Sequence, residues 1–302
     1  MVSILALSAG ACARATSTQA TSTSQASPVA TAGGEATQTE LTARDFDPRN
    51  FDRSTNIDNP WLPLQPGTRW MLNGHALDGK ELIRRRVVIT VTDLTKVVDG
   101  VRTVVVYELD YTNDELDEAE IALFAQDDGG AVWHFGEYPE EYQGGVIVKT
   151  PAWIAGIENA RPGIAMQAAP HLGAPSYAQG WGPQVGWNDR SETYKVDARA
   201  CVPVDCYEGV LVIREFSRTE PGAFQLKYYA PGVGHVRVGW GGPNEEEREV
   251  LVLETLEHLN AEAMAKLRKT VLAQDERGYR ISKDVYAHTR PAEHTLLVAS
   301  SS

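Results

Sequence analysis

Short runs of alternating apolar and polar residues, cut at brief intervals by glycine and aspartate, leave a chain few ways to bury its side chains except as an antiparallel sheet. The pattern is plainest from Phe124 to Glu137, where Asp127-Asp128-Gly129-Gly130 lies between two apolar runs. Residues that tolerate positive φ between extended flanks read as a β-hairpin turn. Residues 87–92 alternate, 96–100 turn, 101–111 are rich in β-branched side chains, and 113–118 form the next acidic turn. Strand patterns return at residues 192–200, 209–216, 224–229, 235–240 and 249–256. Together they predict a mainly β fold, an antiparallel meander forming a curved sheet, half-barrel or barrel. A C-terminal helix follows, with Asn260 as its cap, Met264, Leu267 and Val271 on one face, and Gly278 placed to end it. From about residue 290 the chain reads as a mobile tail.

The two ends of this meander differ from it in composition. Cys12 closes the run Leu7-Ser-Ala-Gly-Ala-Cys12. That run resembles the lipobox of bacterial lipoproteins, where small residues fit the signal peptidase and the cysteine thiol takes the lipid. Ala9 stands where leucine is usual, and the missing basic residues before Ile4 fit a start upstream of Met1. Residues 13–42 are dominated by Ala, Ser, Thr, Gln and Gly and offer nothing to offset the entropy of ordering, so they read as a flexible tether. The predicted organisation is therefore a signal remnant over 1–12, a tether over 13–42, a β domain over 43–260, and a helix with its tail over 261–302. Membrane contact is expected through the lipid anchor alone.

Cys201 and Cys206 flank Val-Pro-Val-Asp. The spacing suits a disulfide across a hairpin tip and suits neither zinc nor a redox pair. A bond closing so short a loop contributes roughly 2 kcal/mol and persists outside the reducing cytosol, in agreement with the lipobox. The net charge of −13 and pI near 5.0 disfavour nucleic acid as a partner.

The segments Asn59-Pro-Trp-Leu-Pro-Leu-Gln-Pro-Gly-Thr-Arg-Trp70, Ala125-Gln-Asp-Asp-Gly-Gly-Ala-Val-Trp-His-Phe-Gly-Glu137 and Lys227-Tyr-Tyr-Ala-Pro-Gly-Val-Gly-His-Val-Arg237 resemble those of a group of uncharacterised secreted or lipid-anchored bacterial proteins. The resemblance spans roughly residues 51–256. It implies a β-rich extracytoplasmic domain, with a curved sheet of the lipoprotein-carrier kind as a looser analogy, and assigns no catalytic residue.

Chemistry is sparsely signalled. The acidic set Asp110, Asp114, Glu115, Asp117, Glu118 and Glu120 departs from the calcium-loop pattern, with Glu115 where the sharp turn needs glycine, and reads as a solvated hairpin tip. His134 and Glu137 would suit acid and base work, yet strand alternation sends them to opposite faces unless Gly136 introduces a bulge. The histidines show no zinc spacing, and there is no nucleophile elbow, phosphate loop or dinucleotide fingerprint, so neither metal nor cofactor is implied. Residues 153–182 break the strand pattern, with prolines at 151, 162, 170, 175 and 183. This irregular stretch reads as a binding loop or lid, and Trp153, Trp181 and Trp187 are its candidate ligand contacts, since indoles stack on sugars or line apolar pockets. The leading expectation is a non-catalytic lipoprotein binding an apolar or sugar-containing ligand. The alternatives are a secreted hydrolase using His134, His171 or His235 beside an acid, and a purely structural envelope protein.

Overall fold

The computed structural model describes residues 46–294, so Cys12 and the tether at 13–42 lie outside the described residues. The strands run in chain order as β1 Thr68–Asp78, β2 Glu81–Val98, β3 Val101–Thr112, β4 Glu115–Gln126 and β5 Val132–Gln143. They continue as β6 Val146–Lys149, β7 Trp153–Ile154, β8 Arg161–Met166, β9 Tyr177–Ala178 and β10 Gly180–Trp181. The last are β11 Arg190–Cys201, β12 Cys206–Phe216, β13 Phe224–Ala230, β14 Gly234–Gly241, β15 Val250–His258 and β16 Glu293–His294. They form one antiparallel sheet, with thirteen strands in the order β10-β8-β5-β4-β3-β2-β1-β15-β14-β13-β12-β11-β9 and with β6 and β7 paired to β5 and β16 to β2, curled into a nearly closed barrel. The predicted fold class therefore stands.

The expected lid is part of the wall. Tyr177 and Ala178 pair with Ser191 and Arg190 on one edge of the sheet, and two residues later Gly180 and Trp181 pair with Pro162 and Arg161 on the other. A single short peptide thus joins both edges. Glycine at 163 is required there, because a Cβ would stand 2.2 Å from the Gly180 nitrogen.

Side chains of β3 and β4 alternate between two cores. Val104, Val106, Ala122 and Phe124 join the inner cluster with Trp70, Leu72, Ile213 and Tyr229. Val105, Tyr107, Ile121 and Leu123 join the outer one with Val271 of the C-terminal helix, Ala261–Ile281. Asn260 caps that helix by accepting from the Ala263 N–H at 2.9 Å. Gly278 lies inside the helix rather than ending it, since the Tyr286 ring packs where a Cβ would sit, 2.4 Å away.

The chain beyond the helix is also held, against the expectation of a free tail from residue 290. Lys96, fully buried on the outer face of β2, donates to the Asp275 carboxylate and the Tyr279 hydroxyl, each at 2.8 Å, and to the Arg290 carbonyl at 2.6 Å. Its ammonium also lies 4.3 Å from the Tyr286 ring centre. Asp275 takes further hydrogen bonds from the Tyr286 hydroxyl and the Ala292 N–H, and Glu293–His294 pairs with β2.

The three motifs behind the family resemblance meet at one end of the barrel. The Asn59 amide donates to the carbonyl of Gly130 at 2.9 Å, the Gly232 N–H to that of Pro60 at 2.7 Å, and the Trp70 indole to that of Val233 at 2.8 Å. Ile57 and Leu64 plug this end with apolar side chains. The motifs build the barrel's floor.

Lys96→Ala is expected to cost about 3–5 kcal/mol, because it leaves Asp275 buried without its cation. A urea unfolding midpoint unchanged from the wild type would refute that account of how the helix is fastened.

Candidate functional site

Gly136 does introduce the bulge. At φ +129 it shifts the register so that Phe124 faces His134 while Ala122 faces Glu137, and both side chains enter the barrel. The Nε2 of His134 lies 3.8 Å from a Glu137 oxygen. The expected divergence of the two is thus overturned by one extra residue on β5.

The pair is nevertheless sealed. His134 stacks on Phe124 with centroids 4.9 Å apart and meets the edges of Trp153 and Trp187 at 4.9 and 6.0 Å. Burial pushes its imidazole down to about 3, and the same burial raises Glu137 well above the usual carboxylate range. Burial therefore disfavours charge on both members of this packed contact. His235 is equally enclosed, stacked on Tyr229 at 5.3 Å with its Nε2 3.1 Å from the Arg237 carbonyl oxygen, and is likewise pushed down to about 3 by burial. His171 is exposed on a loop, its Nδ1 3.2 Å from the Ala169 carbonyl oxygen. The three histidines do not converge, and His134 and His235 are buried away from any substrate.

The acidic set divides in a way the sequence reading did not foresee. Asp114 and Glu115 are exposed at the β3–β4 tip, but Asp110, Glu118 and Glu120 share the inward parity of Val104 and Val106 and are buried in the barrel. Glu108 joins them, and Glu215 and Glu249 face them from the far wall. Two cations enter this band: Lys227, 3.6 Å from Glu215, and Arg85, 3.2 Å from Glu249 and 3.4 Å from Asp117. Burial is the chief cause that raises all the inward carboxylates for which a shift is seen, and like-charged neighbours raise Glu108 and Glu118 further. Asp110 rises to about 7 even though Arg85 pulls it down. Among the described residues no group of three or more His, Cys, Asp or Glu is arranged to hold a metal.

At the apolar end, Leu62, Leu64, Trp70, Phe124 and Tyr229 surround a cavity of about 30 Å³, room for a water and not for a ligand. Trp153 and Trp187 stack on each other at 5.6 Å and are buried in the inner core. Trp181 differs. It is half-buried at the closing seam and lines a surface recess of about 220 Å³ with Gly180, Ala178, Asn188, Arg190 and Arg218. Sequence reasoning found the indole and missed the two arginines. Arg190 lies only nine residues from Trp181, but Arg218 arrives from the β12–β13 turn, a proximity created by closure alone. The Cys201–Cys206 disulfide is formed, at the exposed β11–β12 tip.

The buried carboxylates set the pH dependence. Unfolded Asp110 ionises near 3.8 and the folded group near 7, so between these values the folded chain keeps a proton the unfolded chain has lost, and stability falls as pH rises. His134 and His235 act oppositely, but only below 6.5, where the unfolded imidazoles become charged and the folded ones stay neutral. The melting temperature is therefore expected to fall between about pH 6.5 and about pH 8, and Asp110→Asn to make that fall shallower while raising stability at the alkaline end. A scan in which the variant tracks the wild type at every pH would contradict this.

No family model matches the chain, and no curated protein matches its sequence. Two solved structures are similar to it. A candidate exported protein with a YmcC-like fold from Bacteroides fragilis is 14% identical, with a TM-score of 0.38 over 65% of this chain and 98% of that one. A candidate lipoprotein from Parabacteroides distasonis is 13% identical, with a TM-score of 0.35 over 66% and 99%. A likeness that loose transfers neither fold nor role.

Proposed function

We propose that this chain is an extracytoplasmic, lipid-anchored bacterial protein whose barrel binds a sugar-containing ligand without transforming it, at the recess beside Trp181. The recess carries the reading: it is the place where a candidate tryptophan remains accessible next to a cavity of ligand scale, about 220 Å³. The apolar-lined cavity inside the barrel, at about 30 Å³, is too small for an apolar ligand and supports the sugar half of the expectation. The enclosed histidines count against hydrolysis. Export is supported by the Cys201–Cys206 disulfide, which is exposed and would be reduced in the cytosol. Cys12 would tether the barrel to the membrane.

Two outcomes follow. In a bacterial host the full chain should incorporate labelled fatty acid and sediment with membranes, whereas Cys12→Ser should be unlabelled and soluble; equal labelling of the two would remove the anchor from the proposal. On a glycan array, Trp181→Ala should lose at least about ten-fold in signal, the scale of one aromatic stack on a sugar ring. An unaltered binding profile would move the site elsewhere.

A further inference from the structure

The recess has a charge character that neutral sugar binding does not need. Arg190 opens β11 and is 4% exposed. Its Nε and Nη2 donate to Ser176, to the hydroxyl at 3.1 Å each and, from Nη2, to the backbone carbonyl. Among the described residues Arg190 forms no ion pair, in contrast to the buried Arg85 with Glu249 and the buried Lys227 with Glu215. The charge that does act on it is a second guanidinium, that of Arg218, which together with burial lowers its pKa. Buried charges are ordinarily paired, because removing an ion from water costs several kcal/mol. Here the chain buries a cation and brings another cation towards it.

The placement of that second cation is held. The Ser217 hydroxyl donates to the Asn188 side-chain oxygen at 2.6 Å, and the Asn188 amide donates back to the Gly186 carbonyl at 3.1 Å. The turn carrying Arg218 is thereby tied to the segment that follows Trp181. In a chain of net charge −13, two arginines around one recess run against the overall field. Guanidinium is planar and matches a carboxylate in bidentate fashion, and an indole offers its face to the C–H side of a sugar ring. A recess of about 220 Å³ lies below the roughly 300–1,000 Å³ of drug-sized pockets and suits a single terminal residue.

We infer that the recess recognises an acidic sugar, a terminal uronic acid whose carboxylate sits between Arg190 and Arg218 while its ring lies against Trp181. This rests on the recess being a sugar site and adds the ligand's class to it. The sugar carboxylate supplies the counter-charge that the protein withholds from Arg190.

Calorimetric titration of the full chain with glucuronic acid, glucose and inorganic phosphate tests it, with melting curves confirming that each variant is folded. Glucuronic acid should bind at least about ten-fold more tightly than glucose, as one charge-assisted contact provides. Its affinity should fall with added salt. Arg218→Gln, at an exposed position, should bring glucuronic acid down to the level of glucose, while Trp181→Ala should weaken both sugars. If glucose binds as tightly as glucuronic acid, and Trp181→Ala weakens both while Arg218→Gln weakens neither, the acidic class is wrong and the sugar site stands. If neither sugar binds, both readings fail. Phosphate equalling glucuronic acid, with Trp181→Ala without effect, would mark a simple anion site and overturn both as well.

Discussion

Everything about this molecule depends on how the sheet closes. An antiparallel sheet of this length leaves two edges of unpaired backbone groups, which either bind something or must be paired. Here one peptide does both edges, pairing with Arg190 and Ser191 through Tyr177 and Ala178 and with Arg161 and Pro162 through Gly180 and Trp181. Gln179 sits at the crossover, its N–H donating to the Asp189 carbonyl and its amide to Glu215 inside the barrel, each at 2.9 Å. The seam is narrow because Gly163 and Gly180 lack side chains where backbone and the Trp153 ring come within 2.4 Å of a would-be Cβ. Closure thus creates both the sealed interior and the recess on its outer rim.

That interior is unusual in what it encloses. One end is apolar, plugged by Ile57 and Leu64 and roofed by Trp70 and Phe124. Towards the other end, carboxylates from β3, β4, β5, β12 and the residue before β15 point inward against two cations, Arg85 and Lys227. Burial disfavours charge on these carboxylates and is the chief cause that raises them. The arrangement contrasts with Lys96 on the outside of the same sheet, where one cation is matched by one carboxylate, a hydroxyl and a carbonyl, and the result is a fastening for the helix. The recess presents a different imbalance, a buried Arg190 that forms no ion pair among the described residues. Each imbalance has a different consequence: protonation can relieve an excess of acids, but a guanidinium does not give up its proton, so an external anion is left to complete Arg190.

Much of this was legible in order of residues. Alternation with glycine and aspartate breaks gave the strands, the Asp127–Gly130 turn and the antiparallel meander; the Cys201 and Cys206 spacing gave the disulfide; Asn260 with Met264 and Val271 gave the capped helix. The site was legible only in part, through Trp181. Trp153 and Trp187 carried the same signal and went to the core, since burial of an indole is decided by what packs over it.

What the sequence determined by itself was local: which residues extend, where the chain turns, and where a helix starts, because these follow from φ preferences and short-range hydrogen bonding. What only the tertiary structure decided was facing and convergence. β3, β4 and β5 are covered on both sides, by the lumen and by the helix layer, so their apolar pattern no longer says which parity is inside. Asp110, Glu118 and Glu120 therefore read as solvent-facing acids and are buried, and the single bulge at Gly136 turns Glu137 in beside His134. Arg218 reaches Trp181 by the same route: the residues are far apart in the chain, and only the hydrogen bonds that close the barrel place them around one recess.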